Sequence, residues 1–117
     1  MTKLFHICSA ADWKVGQAGG AYTAASLNTE GFIHCSLVSQ ILGVANNIYM
    51  GQTELVLLVI DSTVLTESLT YEDSYDHGQE FPHVYGPINL DAVVDVVDFP
   101  AGADGRFTLP PGLPGAD

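Results

Sequence analysis

Four side chains able to move protons or grip a polar ligand stand in otherwise apolar text. His6 lies between Phe5 and Ile7, and His34 between Ile33 and Cys35. Glu72 follows Tyr71 in "TYED", and His83 sits inside "FPHVYGP". Imidazole titrates near neutrality, so it can act as acid or base, or hold a phosphate when charged. One histidine in an apolar strand is more often a hydrogen-bonded core residue than a catalyst. A buried imidazole without a partner costs roughly 1–3 kcal/mol. Three such residues in three separate apolar segments therefore point to one shared cleft. A rival reading makes His6, His34 and His83 a three-histidine metal site with an open position. No HExxH-like spacing supports it, and no metal is expected. Cys8, Cys35 and His77 complete the supply of sulfur and nitrogen ligands, so a mixed site stays open while a four-cysteine zinc site is excluded by count. Both cysteines read as small buried hydrophobes, Cys35 on the strand face opposite His34. Asp73, Asp76 and Glu80 read as a solvated acidic loop.

The elements that must position these groups follow from the patterning. "KLFHIC" at 3–8 reads as a first strand, with His6 and Cys8 on one face. From Ser9 a short helix is expected, with Ser9 as N-cap, Asp12 in the first turn and "AGG" at 18–20 as its end. "AYTAASL" reads as a short strand or extended segment. "GFIHC" at 31–35 is a strand in which Phe32, His34 and Ser36 share a face. Leu37, Ile41, Val44 and Ile48 form a helical stripe, with Ser36 as its N-cap and Gly51 as its stop. On that reading His34 and Ser36 stand at a helix start, where exposed N–H groups hold an anion without lysine or arginine. "ELVLLVID" at 54–61 is a strand covered on both faces. "LTYED" is a further strand, "DHGQEFPHVYGP" a loop, and "DAVVDVVDFP" at 91–100 a late strand. The order fits one α+β domain over residues 1–99, with a Gly/Pro-rich tail at 100–117 lying loosely on the surface.

Charge narrows the partners. The net charge is −11, and Lys3, Lys14 and Arg106 are the only permanent cations. Nucleic-acid binding needs several cations against phosphate, so neither a long DNA or RNA partner nor an anionic membrane surface is expected. A small nucleotide remains open, held by backbone N–H groups and histidines. The 117 residues are 47% hydrophobic, contain no run long enough for a membrane span, and begin without a basic stretch ahead of a long apolar one, so a cytoplasmic address is expected.

"FHICSAADW", "AYTAASLNTEGFIHCS", the following Gln40, "LVLLVID", "YED" and "FPHVYGPINLDAVV" together resemble the bacterial family known as domain of unknown function 952, over about residues 4–98. That family carries no activity to transfer. Its fold is grouped with the ADP-ribosyltransferase-like proteins, which include RNA 2′-phosphotransferases. The resemblance implies two small, mostly antiparallel sheets with flanking helices around a cleft that binds NAD in active members. Matched by position, it implies His6 on the early strand, His34 or Ser36 on a middle one, and Glu72, His83 or Tyr85 on a late one. His6, His34, Glu72 and His83 are then the candidate catalytic residues, and Ser36, Tyr85, Gln40 and Trp13 the candidate ligand-binding ones. The basic residues of RNA-directed members are missing here, as is a recognisable glutamate-bearing loop of the protein-modifying ones. The expected function is binding or processing of a small nucleotide, NAD or ADP-ribose-like, with ADP-ribosyl- or phospho-transferase chemistry. A three-histidine metal-dependent hydrolase site and a non-catalytic binding module are the alternatives.

Overall fold

The computed structural model describes residues 3–74, 76 and 78–114. It is an α+β fold whose strands pair antiparallel throughout. The centre is β4 (Leu55–Asp61), and all seven of its residues are buried. It runs between β1 (Lys3–Ser9) and β8 (Val93–Asp98), giving the order β1-β4-β8. With partners on both edges and apolar layers on both faces, no position on β4 faces water, which is why its text does not alternate. On one face Leu4, Cys8, Leu58 and Ile60 join Ile33, Val84 and Ile88. On the other, Phe5, Ile7, Leu57 and Val59 join Ile41, Ala45, Phe99, Phe107 and Leu113.

A second sheet has the order β3-β6-β5, from Ile33–His34, Phe81–Val84 and Leu69–Glu72. The two sheets are stitched at one point. Phe5 and Ser36 exchange backbone hydrogen bonds of 2.8 Å each way, so β1 serves β4 on one edge and the end of β3 on the other. A two-stranded ribbon, β2 (Ala21–Tyr22) with β7 (Ile88–Asn89), completes the strands.

Helix α1 (Ala10–Gly19) starts as its sequence dictates. Ser9 accepts the Asp12 N–H at 3.0 Å, and Gly20 ends the helix with φ of 87°. Gly16 faces Tyr22, and a Cβ there would stand 3.1 Å from the Tyr22 backbone, so a larger residue would have to push α1 and the tyrosine apart by a few tenths of an ångström.

The local readings fail in five places. "AYTAASL" holds only a two-residue strand before a short helix, α2 (Ala25–Thr29), in which Ala25 and Leu27 favour the helix over the β-branched Thr23 ahead of it. "GFIHC" is a strand only at Ile33–His34, because Gly31 and Phe32 complete the turn out of α2. The main helix, α3 (Ile41–Ile48), does not begin at Ser36. Ser36 is engaged in the bridge to Phe5, and residues 37–40 form a turn in which Gln40 accepts the Leu37 N–H through its side chain at 2.9 Å. The anion site at a helix start beside His34 therefore does not exist. Within "DHGQEFPHVYGP" the segment Phe81–Val84 is the central strand β6, since Pro82 accepts from Cys35 N–H through its carbonyl and needs no N–H of its own there. The Gly/Pro-rich tail is not loose: Phe107 and Leu113 are buried, and Asn46 both accepts the Phe107 N–H (2.8 Å) and donates to its carbonyl (3.4 Å). Among the described residues no helix is long and apolar enough to cross a membrane.

Candidate functional site

The register of the β3-β6-β5 sheet builds the site. His34 stands directly opposite His83, and on the far side of β6 Thr70 stands opposite His83 and Glu72 opposite Phe81. Because side chains alternate across a strand, Glu72, His83 and Tyr85 fall on one face together with His34 and Phe32. Glu72 is the diagonal neighbour of His83, and they meet: His83 Nδ1–H donates to Glu72 Oε1 at 2.8 Å. The Tyr85 hydroxyl donates to the same oxygen. These two bonds, Tyr85 first, hold the Glu72 carboxyl below its usual range, and the same contact pushes Tyr85 up.

His83 is 2% exposed. Phe32 stacks on its ring at 3.9 Å and 16°, fixing the plane of the imidazole. A carboxylate cannot donate, so Nδ1 carries a proton, and in the neutral ring Nε2 keeps the lone pair. Among the described residues no buried side-chain nitrogen or oxygen lacks a partner. Nε2 makes no hydrogen bond there, so it reaches solvent. His34 lies 5.4 Å away, ring to ring and nearly perpendicular, and Nε2–H of His34 donates to Glu30 at 2.8 Å. Two imidazoles, each backed by a carboxylate, thus face one another. Such couples suit proton transfer in opposite senses, one ring accepting while the other donates.

His6 is arranged differently. Its Nδ1–H donates to the His34 carbonyl at 2.5 Å, and its Nε2 accepts from the Tyr22 hydroxyl at 2.7 Å. A carbonyl only accepts, which fixes this tautomer. Burial pushes the His6 pKa down from 6.5 to about 4, so the ring is neutral near pH 7. Burial likewise drives the Tyr22 hydroxyl upward. With both nitrogens engaged, His6 is not available to a metal. No group of three or more His, Cys, Asp or Glu among the described residues is placed to hold a metal ion, and His77 lies outside those residues. Cys8 and Cys35 are free buried thiols, pushed by burial up to about 11 and about 12, which keeps both protonated and unreactive.

His6, His34 and His83 line a single cleft of about 840 Å³, and Ser36 and Gln40 line it too. Gln40 is fully engaged as a brace: besides its bond to Leu37, its amide donates to the Glu80 carbonyl (2.8 Å) and to Gln79 (3.2 Å). Trp13 does not line the cleft; it leans on Tyr22 with ring centres 6.3 Å apart. Glu72 and Tyr85 act from behind His83 rather than from the cleft wall.

Three participants escaped the sequence reading. Phe32 is the platform under His83, and its strand parity was visible. Glu30 reaches His34 because Gly31, at φ of 89°, turns the chain back after α2; the Glu-Gly pair four residues ahead of a histidine was the available signal. Tyr22 gave none, since only the tertiary approach of β2 to β1 brings it to His6.

The family described as "Protein of unknown function (DUF952)" matches residues 7–96. The crystal structure of protein CC0527 from Caulobacter crescentus is similar, at 35% identity and a TM-score of 0.84, over 92% of this chain and 95% of that one. The solution structure of CC0527 is also similar, at 36% identity and a TM-score of 0.78, over 91% of each chain. No curated protein matches the sequence.

Proposed function

The chain belongs to the DUF952 family, and from that premise we propose that its histidine cleft binds, and transfers protons on, a small nucleotide of the NAD or ADP-ribose type. The observation that carries this reading is the open Nε2 of His83. It is a lone pair turned toward solvent, oriented by Glu72 and faced by His34 at 5.4 Å. His83 accepts a proton from a ligand hydroxyl, and His34, held by Glu30, supplies one to a departing group. Glu72 stabilises the imidazolium that forms on His83, and Tyr85 and Phe32 keep carboxylate and ring in place. His6 touches no ligand; it is a positioning residue that holds the His34 carbonyl. The cleft volume suits a nucleotide. Lys3, Lys14 and Arg106 are not among the residues that line it, so the fit is to sugar and base, with phosphates directed to the mouth. The meeting of two small sheets at the cleft is in keeping with an ADP-ribosyltransferase-like ancestry, which also supports this ligand class.

The test is thermal denaturation with NAD and with ADP-ribose, followed by product analysis. A ligand at a hundred times its dissociation constant adds about 2.7 kcal/mol. Stabilisation by either ligand in the natural chain, lost in His83→Gln, is expected. No shift with either ligand overturns the reading. Binding without any product keeps the pocket and removes the chemistry.

A further inference from the structure

Helix α3 buries one apolar face, with Val44 at its edge, and leaves Ile48 outside it. Ile41 and Ala45 are buried in the core. Gln40, Gly43, Val44, Asn47 and Ile48, spaced at three and four residues, lie on one other side and line the cleft. Ile48 is 65% exposed there, a large apolar side chain with no role in the core. Gly43 sits mid-helix, where glycine weakens the helix. It is not held there by sterics or strain: its φ is ordinary, and a Cβ built on it meets nothing within 4 Å. It lies against open space beside the cleft, and no contact in the fold requires a glycine there.

The polar groups on this side are of one kind. From Gln40 to Leu55 the lining carries no charged side chain, and it includes Asn47 and Gln52. Neither of those two side-chain amides bonds to another group among the described residues. Each amide offers a donor and an acceptor side by side. Apolar side chains, an open slot beside Gly43 and paired donor–acceptor groups suit an uncharged heteroaromatic ring. They do not suit a phosphate, and a plain hydrocarbon would make no use of the two exposed amides.

We infer that the α3 side of the cleft is a nucleobase subsite, with Val44 and Ile48 against the ring face, Gly43 giving it room, and Asn47 and Gln52 reading its edge. This rests on the nucleotide reading and names which part of the ligand is gripped where: base along α3, sugar hydroxyl at His83.

The experiment uses adenosine, NAD and ADP-ribose in titrations followed by amide NMR and calorimetry. Adenosine is expected to shift the side-chain amides of Asn47 and Gln52 and the backbone amide of Gly43. Gly43→Trp fills the slot and weakens adenosine and NAD binding about tenfold or more. Asn47→Leu, at an exposed position, gives the same direction of change if the tryptophan disturbs folding. Binding of NAD that shifts only residues around His34 and His83, and is indifferent to both variants, overturns the subsite and leaves the nucleotide reading standing. Absence of binding by all three ligands overturns both.

Discussion

His6 and His83 are buried to a similar degree, at 6% and 2% exposure, yet they live in opposite electrical settings. His6 is clamped between a carbonyl and a phenol, both neutral, and the help its carbonyl bond gives the charged ring is outweighed by burial. His83 donates to a carboxylate and turns its other nitrogen to solvent. Burial alone therefore does not decide what a histidine does. The partner atoms matter as well: between two neutral groups the ring is a structural strut, and beside a carboxylate it is set up for the proton-carrying role proposed above. The strut supports the carrier, because the carbonyl His6 holds belongs to His34, which faces His83.

The largest expected effect tests the strut. Between pH 6.5 and about 4 the unfolded chain binds a proton at residue 6 that the folded chain refuses, so stability falls as the pH drops through that window. A shift of this size is worth roughly 3 kcal/mol at full extent. Urea denaturation at a series of pH values should show that loss, and His6→Gln, which cannot titrate, should flatten it. Glu72 contributes in a lower window: its folded pKa lies below 4.5, so the stability it adds is lost only as pH falls beneath that value. An unchanged slope in His6→Gln would end the distinction between the two histidines.

Next comes Tyr22→Phe, which leaves His6 Nε2 buried without a donor. The expected cost is about 1–2 kcal/mol by chemical denaturation. Glu72→Gln acts on the carrier. Its readout is ionisation: ultraviolet titration should show Tyr85 returning from its raised value toward the ordinary phenol range, since the Glu72 contact is the first cause of the rise. NAD affinity should fall in the same variant. Smallest of all is His34→Ala, on a side chain 40% exposed, where stability should hold within about 0.5 kcal/mol. If the comparison is right, that variant nonetheless loses ligand binding.

The histidine set was legible because each member interrupts apolar text, and the parity of "FIHCS" put Phe32 with His34 and Cys35 with the core. The both-faces-covered character of "LVLLVID" was equally plain. Other features depended on distant residues. Ser36 has the chemistry of a helix cap, but Phe5 claims its backbone, an event at a sequence distance no local pattern reports. Pro82 hid a central strand, because its tolerance there depends on which edge its missing N–H faces. Phe107 and Leu113 sit in text rich in glycine and proline, and two side chains suffice to anchor it. The direction in which each imidazole spends its two nitrogens is a property of contacts, so the division of labour between His6 and His83 had no trace in the sequence.

The bridge between Phe5 and Ser36 has a consequence for how the molecule comes into being. Strand β1 is synthesised early, yet its companions are Ser36 and the residues from 55 to 61. During translation Leu4, Phe5 and Ile7 therefore wait without a sheet until β4 has emerged. The cleft waits longer still, for β6 at 81–84. The half-made chain is thus exposed to self-association through the strand that later joins the two sheets, and a chaperone that shields β1 would protect the cleft before its other walls exist.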